Sequence, residues 1–119
     1  MKKIFIVDDD PVVTAMLSKI LKDLGVIDIS IFSDGESCLD QLEEKPDIIF
    51  LDYQMEKMNG LEVLQELRKI TSESAVVFTT ALEDLSVAMQ SIAQGSIEFL
   101  LKKNISKKEV QKILSEIDS

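Results

Sequence analysis

The sequence predicts a three-layer, doubly wound α/β domain: a parallel sheet of five strands covered by helices on both faces. Three observations carry this. Strand-like and helix-like stretches alternate five times along the 119 residues. The strand-like stretches are mostly short, continuous apolar runs, the pattern of strands buried on both faces. The helix-like stretches open on capping residues or close on glycine, and they are long enough to return the chain to a parallel neighbour.

Ile4–Val7 is the first strand. The helix after it starts at Asp10-Pro11, with aspartate as cap and proline at the first helical position. Val13, Leu17, Leu21 and Leu24 form one stripe, and Gly25 ends the helix. Val26–Phe32 alternates more than the other strands and reads as an edge strand. Ser33-Asp34 introduces a second helix from about Gly35 to Glu44. Ile48–Leu51 is the third strand, and Asn59-Gly60 opens a helix that reaches Ile70. Ala75–Phe78 is the fourth strand, followed by a helix over Leu82–Gln94 that Gly95 closes. Ile97–Leu101 supplies the fifth strand. Ser106 caps the last helix, with a capping box to Glu109 and a stripe of Val110, Ile113, Leu114 and Ile117. No repeat, low-complexity tract or linker interrupts the pattern, so residues 1–119 form one domain.

Composition narrows the function. Hydrophobic residues make up 45 %, enough for a core. No apolar run approaches the roughly 18 residues of a membrane span, and Ile4–Val7 is too short for a signal peptide, which leads us to expect a cytoplasmic protein. Met1 at the start and the stop straight after the fifth helix favour a free-standing protein over a piece cut from a longer one. Cys38 is the single cysteine and reads as a small buried core residue. A net charge of −9 without a basic stripe argues against direct nucleic-acid binding. Lys102, Lys103, Lys107 and Lys108 cluster, but among interspersed acids they read as a solvated face. The chain has no histidine, so any phosphohistidine must belong to another molecule.

In doubly wound sheets, chemistry belongs at the carboxyl ends of the strands. The first strand ends in Asp8-Asp9-Asp10, the third in Asp52, the fourth in Thr79-Thr80-Ala81 and the fifth in Leu101-Lys102. Carboxylates at the ends of buried strands repel one another and desolvate poorly, so something cationic must compensate. Mg²⁺ fits, as a hard ion satisfied by one or two carboxylates, a carbonyl, water and a substrate phosphate. Each residue also has a plainer role. Asp10 is most simply a helix cap, Asp8 or Asp9 a turn residue, Asp52 a loop cap, Thr80 a strand residue and Lys102 a snorkelling side chain. Taken together, four polar elements at four strand ends point to a site offering metal ligands, a phosphoryl-binding hydroxyl and ammonium, and a carboxylate nucleophile.

The stretches IFIVDDDP (4–11), SDGE (33–36), PDIIFLDYQMEKMNG (46–60), TTA (79–81) and QGSIEFLLK (94–102) closely resemble the response-regulator receiver family, and their order and spacing cover essentially the whole chain. The resemblance implies a flavodoxin-like (βα)5 domain with strand order 2-1-3-4-5. It implies that Asp52 accepts a phosphoryl group from a histidine kinase or phosphotransfer protein. Asp9 would ligate Mg²⁺ directly, Asp8 through water, and the Gln54 carbonyl would complete the protein's share. Thr80 would bond a phosphoryl oxygen, Lys102 would pair with Asp52 and then the phosphate, and Phe99 would follow Thr80. A downstream target or a dimer would use the face of the fourth helix, fifth strand and fifth helix. Self-phosphorylation and self-dephosphorylation would be the only catalysis.

Three residues depart from the family pattern. Glu56 and Lys103 stand where proline is common, and Phe99 where tyrosine is. With Lys103 in place of proline, a trans Lys102–Lys103 bond is expected, since a cis bond there costs roughly 2.5–4 kcal/mol. The resemblance implies that Gln54 and Leu82 flank the approach of the hydrolytic water, and an apolar Leu82 there would make self-dephosphorylation slow. Three other readings compete. A flavin binder would need a phosphate cradle where the aspartates stand. An aspartyl phosphatase would need a second acid where Gln54 stands, and a cap domain. A degenerate receiver acting as a phosphorylation-independent adaptor sits poorly with an intact Asp8, Asp9, Asp52, Thr80 and Lys102.

Overall fold

The computed structural model describes residues 2–96 and 98–118, with the backbone alone for Leu82 and Leu85. The chain runs β1 (Lys3–Val7), α1 (Pro11–Asp23), β2 (Asp28–Phe32), α2 (Gly35–Asp40), β3 (Ile48–Asp52), α3 (Gly60–Ile70), β4 (Ala75–Thr80), α4 (Leu85–Ala93), β5 (Glu98–Leu101) and α5 (Lys107–Asp118). All four strand pairings are parallel and the order is β2-β1-β3-β4-β5, as the resemblance implied. The strand read as an edge, β2, lies at one.

The sheet sorts its side chains by alternation. Ile4, Ile6, Ile48 and Phe50 point to one face, where they join Val13, Leu17 and Leu21 of α1 and Val110 and Ile113 of α5. Phe5, Val7, Ile49 and Leu51 point to the other, against Cys38 of α2 and Val63, Leu64 and Leu67 of α3. Burying both faces is why these runs are unbroken by polar residues. Cys38 is fully buried, and that burial pushes its thiol up to about 12, in keeping with a core role.

Caps set the helix starts. Asp10 accepts from the Val12 amide at 2.9 Å, with Pro11 behind it, and Asp34 accepts from Ser37 at 2.8 Å. At Ser106 the hydroxyl accepts from the Glu109 amide at 3.2 Å. Gly25 (φ 94°) and Gly95 (φ 106°) take the left-handed conformation that closes α1 and α4.

Two helices are shorter than the sequence suggests. The second is α-helical only over Gly35–Asp40, and a 3₁₀ turn follows over Leu42–Glu44. Pro46 bars Lys45 from right-handed helix, and Lys45 sits at φ 56°. The fourth opens as a 3₁₀ turn over Leu82–Asp84 before α4 proper. The strand expected from Ile97 is described from Glu98, Ile97 itself lying outside the described residues. No cis peptide bond occurs among the described residues, so Lys102–Lys103 is trans, as expected.

Candidate functional site

The register assembles the site. Val7 pairs with Leu51, Asp52 with Thr79, and Thr80 with Leu101. The residues that follow, Asp8 and Lys102, therefore come level with Asp52 and Thr80 at one end of the sheet. This is also where the strand order reverses, because the chain leaves β1 first for β2 and later returns to β3 on its other side.

Asp8 and Asp52 are buried, 2 % and 1 % exposed, while Asp9 is exposed. Lys102 Nζ lies 3.0 Å from Asp52 Oδ1 and 3.4 Å from Asp8 Oδ2. The other oxygen of Asp8 accepts from the Asp10 amide at 2.9 Å. Burial pushes the Asp52 carboxyl up to about 7, the Asp8 and Asp9 charges add to this, and Lys102 opposes it. Asp8 is raised as well, by burial, against the Asp10 amide and Lys102. Burial pulls the Lys102 ammonium down, but Asp52 and Asp8 outweigh that and its pKa is raised. One ammonium faces three carboxylates, and the site is short of positive charge.

The residues present fit a hard divalent cation. One oxygen from each of Asp8, Asp9 and Asp52 lies within 4.8 Å of the other two. Asp52 Oδ2 is buried with no hydrogen-bond partner, an arrangement that costs stability unless a cation meets it. Gln54 is exposed and lines an open cleft of about 500 Å³ with Asp9, Tyr53, Met55, Glu56 and Asn59.

Thr80 is 1 % exposed, and its hydroxyl donates to the Ala81 carbonyl at 3.4 Å, not to a carboxylate. Phe99 is half-buried and packs with the cluster on the α2/α3 face. The Leu82 side chain, read above as a shield against water, lies outside the described residues.

Sequence reading missed how the Asp52 backbone is held. Tyr53 donates to the Thr79 carbonyl at 3.0 Å and Gly60 donates to the Tyr53 carbonyl at 2.8 Å. A Cβ on Gly60 would overlap the Asp52 carbonyl oxygen and come 2.9 Å from Tyr53 Cα. The glycine thus lets the start of α3 press against the end of β3. Asn59 and Glu62 fix that start with a complete capping box, 2.9 and 3.0 Å. The signal was present as Asn-x-x-Glu.

A family model described as the response regulator receiver domain matches residues 4–115. A CpxR transcriptional regulatory protein homolog of Haemophilus influenzae is 35 % identical over 85 residues, covering 71 % of this chain and 37 % of its own. The chemotaxis protein CheY of Thermotoga maritima is 28 % identical over 102 residues, covering 85 % of each chain. The crystal structure of the receiver domain of NtrX from Brucella abortus superposes with a TM-score of 0.89 at 24 % identity, over 97 % of both chains. The last shares the fold. The CpxR homolog also sets a scale, since this chain spans little more than a third of its length. A family match that runs from Ile4 of β1 through four further strands and all of α1 to α4 makes the assignment plain: the chain belongs to the response regulator receiver domain family of two-component signalling.

Proposed function

We propose that Asp52 accepts a phosphoryl group from a phosphohistidine on a partner kinase or phosphotransfer protein, and that this resets the output face of α4, β5 and α5. The observation that carries the reading is the Asp52 carboxylate itself, buried at a strand end with one unpartnered oxygen and Lys102 at 3.0 Å from the other. A carboxylate oxygen of Asp52 attacks phosphorus in line. The new O–P bond forms as the donor's P–N bond breaks, and the leaving imidazole nitrogen takes the electron pair and a proton from solvent. Lys102 gives the transferred group a fixed positive partner. Thr80 gives up its long bond to Ala81 and donates to a phosphoryl oxygen, and half-buried Phe99 follows into the space vacated.

Mg²⁺ held by Asp9, Asp52 and the Gln54 carbonyl, with Asp8 reaching it through water, would neutralise charge on the phosphoryl oxygens. Water attack on the acyl phosphate later breaks the O–P bond and returns the carboxylate and free phosphate. The chain catalyses these two steps on itself and no others. Residues 1–119 act as one receiver unit in the cytoplasm, in keeping with a single buried thiol and with no described helix long and apolar enough to cross a membrane. The charge of −9 disfavours direct contact with nucleic acid.

Labelling with acetyl phosphate and Mg²⁺ tests the assignment. Asp52→Asn is expected to abolish the mass shift of phosphorylation while the circular dichroism spectrum stays that of the wild type. A variant labelled as well as the wild type would remove Asp52 from the role.

A further inference from the structure

Among the described residues Arg68 has no carboxylate partner, and its guanidinium is spent on three backbone carbonyls from two loops. Nη1 donates to Ser74 at 2.9 Å and Thr71 at 3.4 Å, and Nη2 donates to Gly95 at 2.7 Å. The first two carbonyls lie between α3 and the start of β4, and the third lies in the turn that joins α4 to β5. That turn is tightly made. Gly95 sits at φ 106°, and a Cβ there would come 3.0 Å from Arg68 Nε.

The two ends of α4 are held unequally. At its C-terminal end Gln94 donates to Gln90 and Ser91, Gly95 to Ile92, and Ser96 to Ser91. The Ser91 hydroxyl lies 2.6 Å from the Ala88 carbonyl and 3.0 Å from the Ser96 hydroxyl, both contacts buried. At its N-terminal end Asp84 makes no side-chain capping bond, and its Oδ2 is buried without a partner. Between the ends, the buried described side chains are only Ala88 and Ser91, whereas Met89 and Ile92 face outward, 65 % and 43 % exposed. Among the described side chains, Ala88, Ser91 and half-buried Val87 seat the helix, and that small set gives it little packing to resist rotation. Its loose end begins just beyond Thr80, at the candidate site, and its fixed end is the one Arg68 grips.

We propose that Arg68 is a positioning residue that pins the α4–β5 turn, so that α4 swings about this end when Thr80 moves. The inference rests on the phosphoacceptor reading above and deepens it, by saying which end of the output helix moves. A hinged helix displaces its outer residues in proportion to distance from the pin. The N-terminal end of α4 is therefore displaced most, while Gly95 and the entry to β5 stay still. Keeping the β5 backbone still while the Phe99 side chain turns has a use, because Lys102 follows directly from that strand and must hold its place beside Asp52.

Amide NMR with beryllofluoride and Mg²⁺ tests this on the wild type and on Arg68→Met. In the wild type the shifts are expected to be large over residues 81–88 and to fall to nothing over 94–96. In Arg68→Met they are expected to spread into 94–96, and hydrogen exchange at Gln94, Gly95 and Ser96 without the probe should rise about tenfold. Arg68→Lys, which keeps a donor, should restore part of the wild-type pattern. A lost tether that only loosens the turn would speed exchange but leave the pattern of shifts unchanged, and that result overturns the proposal. So does a wild type in which residues 94–96 shift as much as 84–88. A probe that leaves Thr80 and Lys102 undisturbed sinks the phosphoacceptor reading itself, and the swing with it.

Discussion

Asp52 is 1 % exposed, faces the Asp8 carboxylate, and carries a pKa pushed up to about 7 by burial and by that neighbour. The folded value lies above the ordinary 3.8, so the stability linked to this group is complete below about pH 4 and is lost as pH rises toward 7. Metal-free protein is therefore expected to be more stable at pH 5 than at pH 8. Asp52→Asn removes the buried charge, and should raise metal-free stability at pH 8 by on the order of 2 kcal/mol and flatten the dependence. Urea unfolding at the two pH values checks both. Lys102→Ala has the opposite sign. It strips two buried carboxylates of their cation, at a cost of about 2 kcal/mol at pH 8, less than for a sealed pair because the lysine side chain is 27 % exposed. That Asp8, Asp52 and Lys102 would meet was legible in the sequence, because each ends or follows a strand and parallel strands end together. That the Thr80 hydroxyl turns to Ala81 was not legible, since a hydroxyl rotamer depends on neighbours no linear pattern specifies.

The helices show where reading by pattern stops. The strands and α1 follow from apolar runs, an Asp-Pro start and a glycine stop. Helix α2 is shorter than its sequence suggests: Leu42 continues the apolar spacing, yet Gln41 leaves helical geometry and Pro46 closes the segment. The fourth helix begins later than its sequence suggests, because residues 82–84 form a 3₁₀ turn that a linear pattern does not distinguish from a first α-helical turn. At α3 the Asn-x-x-Glu spacing carries the same signal as Ser106 and Glu109, and Asn59 and Glu62 complete a capping box there. Asn59→Ala is expected to lower stability by about 1 kcal/mol in thermal melts. Gly60→Ala should cost more, about 2 kcal/mol or above, because its Cβ meets backbone that cannot turn aside. It should also weaken Mg²⁺ binding several-fold in a titration, whereas Asn59→Ala, which leaves Gly60 and every carboxylate in place, should weaken it less.

At the scale of the molecule, a cation bound at Asp8, Asp9 and Asp52 is a ligand of the folded state alone. Raising Mg²⁺ to ten times its dissociation constant is expected to add about 1.4 kcal/mol, visible as an upward shift of the thermal midpoint. Asp9→Ala should abolish that shift; a midpoint that still climbs with Mg²⁺ would take Asp9 out of the coordination. The two faces of the sheet also differ in when they can be completed. One is closed by α2 and α3, from the middle of the chain. The other is shared by α1 and α5, where Val13, Leu17 and Leu21 meet Val110 and Ile113. A ribosome adding residues at about 5–20 per second makes the stripe of α1 early and its cover last, so that stripe waits on the order of 5–20 s for its partner. Throughout that interval the nascent chain carries an uncovered apolar face, the kind of surface chaperones hold and proteases reach. Nascent chains arrested before Val110 should be digested readily by added protease, and those arrested once Ile113 has cleared the exit tunnel should resist.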